Sequence, residues 1–214
     1  MNRPGGFAEA RWIHSGWQRS GNLPPDLPFV SCGMTFIEPY DPAWANDFAS
    51  LAARLRIAMG DAALRVDHIG STSVPGLAAK NIIDIQVTVD VLEPGIVELL
   101  ESAGFAYVQE HSQDHVPAGQ NPDPALWSKL FFRNRAGERA CHVHVRAEGN
   151  PNQRYALLFR DYLRSNHRAA QSVELVKREL ARHFPIDEDA YYSIKDPMYD
   201  LVWESAKLWS PDRA

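Results

Sequence analysis

His68-Ile-Gly-Ser-Thr-Ser-Val-Pro-Gly-Leu-Ala-Ala-Lys-Asn-Ile-Ile-Asp-Ile-Gln-Val87 runs a small-residue loop into an apolar strand. Gly70-Ser71-Thr72-Ser73 and the Pro75-Gly76 turn leave room for backbone N–H groups to approach an anion closely. Lys80 can neutralise such an anion, and Asp84 on the strand that follows can hold a divalent cation against it. This is the equipment of phosphoryl or nucleotidyl transfer. Ile82 to Val89 is β-branched and apolar over most of its length, as expected of a central strand. Alternation puts Asp84 and Gln86 on one face and Ile83, Ile85 and Val87 on the other. A carboxylate in the middle of such a strand is costly without a partner or a cation.

Working outward, Ala63–Ile69 predicts a strand with Leu64, Val66 and His68 on one face. Upstream, Thr35-Phe-Ile37 predicts a first short strand, followed by a turn in which Asp41 caps a helix and Pro42 takes its first position. Trp44, Phe48, Leu51, Ala52, Leu55 and Met59 have helical spacing, and Gly60 ends the helix. Downstream come a helix over Pro94–Ala103, a strand over Phe105–Gln109 and a loop over 111–126. Lys129–Arg133 and Cys141–Arg146 predict a hairpin around Asn134–Gly137. From about Asn152 the apolar stripes are helical, through Tyr155, Leu158, Phe159, Tyr162 and Leu163, then Val173, Leu175, Val176 and Leu180, then Met198, Leu201, Val202 and Trp203. The fold class is therefore α+β, a mixed sheet followed by a C-terminal helical portion. Residues 1–33, with the turn-rich Gly21–Pro28, read as an N-terminal extension, and 34–209 as the domain.

The chain has 214 residues, 45% of them hydrophobic and 23% charged, with a net charge of −5. One generous domain fits this length. An acidic balance argues against a general nucleic-acid-binding role, which needs a basic face. No apolar run reaches membrane-spanning length and the N-terminus lacks a signal-peptide core, so a cytoplasmic location is expected. Cys32 and Cys141 have no metal-like or CxxC spacing and are expected to be free thiols.

The Gly70–Val87 stretch resembles the signature of the polymerase-beta-like nucleotidyltransferase superfamily, a Gly-Ser pair followed at about a dozen residues by Asp-hydrophobic-(Asp/Glu)-hydrophobic on a strand. There, strand carboxylates bind Mg²⁺ and the triphosphate. In this chain Asp84 fills the first carboxylate position, but Gln86 stands at the second. The strings Glu38–Trp44, His68–Lys80, Ile83–Ile85, His142-Val-His-Val-Arg146, Phe159-Arg-Asp-Tyr-Leu-Arg164, Lys177-Arg-Glu-Leu-Ala181 and Tyr192–Lys195 more closely resemble the GrpB family. The resemblance implies a nucleotidyltransferase-like fold, a mixed sheet flanked by helices. That family includes stand-alone members and members fused to dephospho-CoA kinase, which points to nucleotide or CoA metabolism.

His142 and His144 lie two apart on a strand and point the same way. They are candidates for metal ligation or for acid–base work beside a phosphate. Arg160 and Arg164 share a helix face, and the resemblance implies that they line the phosphate side of the cleft. Lys177 and Lys195 are candidates for the same basic wall. His68 is expected to orient the loop or face the core, and Asp114 and His115 carry no assignment.

The resulting expectation is a nucleotidyltransferase that takes a nucleotide and a small-molecule acceptor. Asp84, Gln86, His142 and His144 would be metal ligands, for Mg²⁺ or Mn²⁺, or for Zn²⁺ or Fe²⁺ with the mixed donor set. Asp84 and His144 are the expected catalytic pair. Gly70, Ser71, Thr72, Ser73, Lys80, Arg160 and Arg164 are the expected phosphate grip. Two alternatives stand beside it: a nucleotide- or CoA-binding module without turnover, favoured by Gln86, and a metal-dependent small-molecule enzyme built on Asp84, His142 and His144.

Overall fold

The structure is a computed structural model that describes residues 36–210. The expected 1–33 extension, Thr35 of the first predicted strand, and Cys32 lie outside the described residues. Among those described, five strands form one mixed sheet flanked by six α-helices.

In chain order the elements are α1 (Ala43–Met59), β1 (Arg65–Ile69), β2 (Ile83–Val89), α2 (Gly95–Ser102), β3 (Phe105–Tyr107), α3 (Pro124–Trp127), β4 (Leu130–Asn134), β5 (Cys141–Ala147), α4 (Pro151–Ser165), α5 (His167–His183) and α6 (Glu188–Trp209). The strand order is β1-β2-β5-β4-β3. Only β2 and β5 run parallel; every other neighbouring pair is antiparallel. The predicted hairpin is β4–β5.

Three boundaries differ from the sequence reading. Phe36 and Ile37 form no strand; the pairing there is a single bridge between Glu38 and Ala79, with N–H···O distances of 2.8 and 3.0 Å. β3 stops at Tyr107 and passes into a 3₁₀ turn at Gln109–His111, so the expected Phe105–Gln109 strand is shortened. The 111–126 loop is present but ends in α3, whose Asp123 side chain accepts from Ala125 N. At the start of α1, Asp41 Oδ1 accepts from Ala43 N at 2.8 Å, and Pro42 sits just outside the helix. Gly60, at φ +52°, ends it.

Alternation divides the sheet into two faces. Ile83, Ile85, Val87, Val89, Cys141, Val143, Val145 and Phe132 turn toward α1 and α2 and pack with Leu51, Leu55, Ile96 and Leu100. That is the main core, and burial there pushes the free Cys141 thiol up to about 11. The opposite face is overlaid by the C-terminal helices. Phe159, Leu163, Ala170 and Val173 close around Val74 and Leu77 of the loop, and Leu158 packs with Trp203 and Ala206. The second apolar cluster thus anchors the loop that ends β1.

Candidate active site

The parallel register sets Asp84 beside His142, Gln86 beside His144 and Thr88 beside Arg146. All six side chains rise from the face opposite the main core. His142 Nδ1 lies 3.3 Å from Asp84 Oδ1. Across β5, Arg133 of β4 is the neighbour of His142 and Phe131 that of His144.

The loop after β1 passes directly over Asp84. Gly70 has φ +66° and ψ −172°, a region open essentially to glycine, and a Cβ added there would stand 2.9 Å from both Cβ and Cγ of Asp84. Ser73 Oγ donates to the Gly70 carbonyl at 2.6 Å, so it closes the turn. Thr72 is buried, donating to the Ile82 carbonyl at 3.3 Å and meeting His68 Nε2 at 3.0 Å. The His68 ring stacks on Phe48 with 4.6 Å between centroids. His68 therefore orients the loop from the core side, as expected. Burial brings its pKa down to about 4, with Arg164 and Arg160 acting in the same sense and Asp84 opposing. Gly70, Ser71 and Thr72 line the cavity, and Ser71 pairs with Tyr199 of α6.

A cavity of about 730 Å³ opens between this face and the C-terminal helices. One wall carries three lysines from three different elements. Lys80, from the loop, lies over the rings of Tyr191 and Tyr192 at 4.6 and 5.3 Å. Lys195 of α6 lies over Tyr192 and Tyr199 at 4.4 and 4.7 Å and pairs with Asp196 at 2.9 Å. Lys177 of α5 is 3% exposed and donates to the Ala78 carbonyl at 2.8 Å. Six Lys and Arg side chains line the cavity against four carboxylates, so it is cationic in an acidic chain.

The far end is a buried ionic network. Asp114 accepts from Arg146 at 2.7 and 3.0 Å, from Lys129 at 2.6 Å and from Asn152 at 3.1 Å. Burial alone would raise the Asp114 carboxyl, but the charge and hydrogen bonds of Arg146, with Lys129, hold it well below the usual carboxylate range. The sequence reading left Asp114 unassigned and did not single out Arg146. Arg146 was within reach: it continues the alternation of His142 and His144 along β5. Asp114 lies in a loop with no periodic signal.

Three expectations are corrected by this geometry. Arg160 and Arg164 do not line the cavity. Arg164 clamps the Ser73 carbonyl at 2.7 and 2.9 Å; Arg160 binds Asp161 at 2.8 Å and the His68 carbonyl at 3.1 Å. They brace the loop from behind. Gln86 is fully buried, its amide oxygen receiving Arg146 at 2.7 Å and its nitrogen donating to the Gln153 carbonyl at 3.1 Å. Its amide is engaged by the protein and not by the cavity. His144 faces Arg146 at 3.3 Å through Nδ1. Loss of solvation, then the Arg146 and Lys129 charges, hold it well below its ordinary pKa. Those same charges oppose a metal cation at His144. Among the described residues no three His, Cys, Asp or Glu side chains converge as a metal site. The donor set among the described residues therefore does not fit a resident divalent ion, and Asp84, His142 and His144 do not converge as one centre.

No helix among the described residues is long and apolar enough to cross a membrane. Residues 35–204 match the family model described as GrpB protein. A crystal structure of the conserved protein GrpB from Enterococcus faecalis superposes with a TM-score of 0.66 at 32% identity, covering 82% of this chain and 100% of that one. A protein named dephospho-CoA kinase from Mycolicibacterium paratuberculosis is 36% identical over 186 residues, covering 80% of this chain and 46% of the relative. The UPF0157 protein YqkA of Bacillus subtilis is 32% identical over 174 residues, covering 81% and 48% respectively. The chain thus spans about half the length of these curated relatives. The loop–strand motif, the mixed sheet and these matches agree: the chain belongs to the GrpB family.

Proposed function

We propose that the cavity binds a nucleotide and transfers its nucleotidyl group to a small acceptor, with the Asp84–His142 pair acting at the reacting phosphate. The observation that carries this reading is the convergence of Lys80, Lys177 and Lys195 on one wall of a cavity whose sheet side presents that pair. At about 730 Å³ the cavity is of the size that takes a nucleotide-sized ligand. The phosphates lie against the lysines and the Gly70–Ser71 backbone.

Asp84 beside Nδ1 orients the His142 ring and leaves Nε2 free to take a proton. The acceptor hydroxyl gives its proton to Nε2 as its oxygen attacks the α-phosphorus. The bond to the bridging oxygen breaks, and pyrophosphate leaves with its charge offset by the lysines. No step is assigned to a bound metal, because Asp84 alone does not make a resident site.

One observation favours a second reading, binding without turnover: Gln86 brings no second carboxylate and is locked to Arg146 and Gln153. The relatives named dephospho-CoA kinase support including CoA and dephospho-CoA among the ligands tried.

The test is a thermal-shift titration with each nucleoside triphosphate, CoA and dephospho-CoA, with and without Mg²⁺ or Mn²⁺, followed by a pyrophosphate-release assay. A ligand at a hundred times its Kd stabilises by about 2.7 kcal/mol. Lys195→Ala is expected to lose most of that stabilisation. Asp84→Asn is expected to keep the shift and lose pyrophosphate release. Absence of any shift sinks the reading, and a shift without release in wild type selects the binding module.

A further inference from the structure

Lys177 is the most deeply buried cationic side chain lining the cavity. It projects from the middle of α5 and is 3% exposed, and its one hydrogen bond goes to the Ala78 carbonyl at 2.8 Å. No carboxylate among the described residues lies within ion-pair distance of its Nζ. Lysines so deeply buried are ordinarily paired.

Of the charged groups on the elements around it, Glu174, Asp84, Lys195 and Asp196 have partners of their own. On α5 itself, Glu174 is held by Arg178 at 2.8 Å and by the Ala78 N–H at 3.2 Å. On β2, Asp84 is beside His142. On α6, Lys195 is paired with Asp196, and the Glu188 charge acts on Lys80. Lys80, from the loop, rests on Tyr191. Asp84 and Glu174 favour the charged amine, Lys195 and Lys80 oppose it, and burial is the largest influence.

We propose that the countercharge of Lys177 is supplied by the ligand, so that the cavity takes up a phosphate-bearing anion together with a proton. This rests on the nucleotide reading above and assigns to one residue the coupling between ligand charge and pH. With the cavity empty, burial lowers Lys177 to about 7, and the amine is close to half neutral at neutral pH. A phosphate docking beside Nζ replaces the missing carboxylate and restores the ammonium. No bond to phosphorus forms; one proton moves from solvent to Nζ. The uptake is about half a proton per ligand at pH 7, nearing one at pH 8 and falling toward zero at pH 6, by linkage.

Two measurements test this. The first is calorimetry of the nucleotide that gives the largest thermal shift, with pyrophosphate as a second probe, in buffers of different ionisation enthalpy. Wild type and Lys177→Arg are compared from pH 6 to 8. The difference between the two proteins cancels any proton the ligand itself exchanges. Wild type is expected to take up the proton and Lys177→Arg to bind without it; equal uptake in both overturns the proposal and leaves the nucleotide site standing. The second needs no ligand: competitive acetylation against pH, read by mass spectrometry at Lys177. A midpoint near 7 is expected, and one at 10 or above overturns the proposal whatever the calorimetry shows. Failure of every anion to bind overturns both this proposal and the nucleotide reading.

Discussion

The two faces of the central sheet come from the same strands, residue by alternate residue, and they solve opposite problems. On the α1–α2 side, Ile83, Ile85, Val87, Val143 and Val145 are fully buried and need only shape and volume. On the cavity side, their immediate neighbours Asp84, Gln86, His142, His144 and Arg146 need specific partners. Gln86 is as buried as Ile85, yet both ends of its amide are bonded. Burial there is tolerable only because Asp114, from a loop, brings the carboxylate that Arg146 and Lys129 require. A truncation on the apolar face leaves a space. A truncation on the polar face leaves a charge.

The largest expected effect tests that contrast directly. Asp114→Ala strands Arg146 and Lys129 without their carboxylate and is expected to cost about 3–5 kcal/mol in denaturant unfolding. It should also abolish the nucleotide-dependent thermal shift, since the same groups line the cavity. Ile85→Ala, directly behind, is expected to cost about 2–5 kcal/mol by leaving a cavity in the core, with the ligand-dependent shift retained. Equal loss of the shift in both variants would break the comparison.

Gly70→Ala comes next, at about 1–3 kcal/mol, because its backbone conformation is strained for any residue with a side chain. The added methyl also presses on Asp84. Pyrophosphate release should fall by more than the modest loss in melting temperature accounts for; release unchanged would mean that the loop does not set Asp84.

The smallest effect is a pH dependence from His68, which sits at the border of the two faces. Its folded pKa, lowered by burial to about 4, lies below the ordinary histidine value of 6.5. The unfolded chain therefore binds the proton more readily. The contribution is fully present above pH 6.5 and is lost as the pH falls from 6.5 toward 4. The difference in melting temperature between wild type and His68→Gln should shrink over that interval. A constant difference would show that His68 is not held neutral.

Local periodicity reports an element and which way its side chains point, because both follow from contacts two to four residues apart. On that basis α1, β1, β2, the β4–β5 hairpin and the C-terminal helices were legible, as was the grouping of Gly70, Lys80 and Asp84. The division of β2 into an apolar and a polar face followed from alternation alone. So did the shared direction of His142 and His144, and the family resemblance rested on motifs that the sequence displays unaided.

Tertiary structure decided who meets whom. The parallel pairing of β2 with β5, with the β3–β4 portion threaded between them in sequence, is what sets His142 and not His144 against Asp84. Arg160 and Arg164 share a helix face as expected, but that face turns to loop carbonyls behind the cavity. Asp114 entered the site from an unpatterned loop, and Lys177 became a buried amine only where α5 crosses the Ala78 carbonyl. A charged side chain takes its role from the groups that replace its water. Those groups come from segments distant along the chain, so no spacing in the sequence records them.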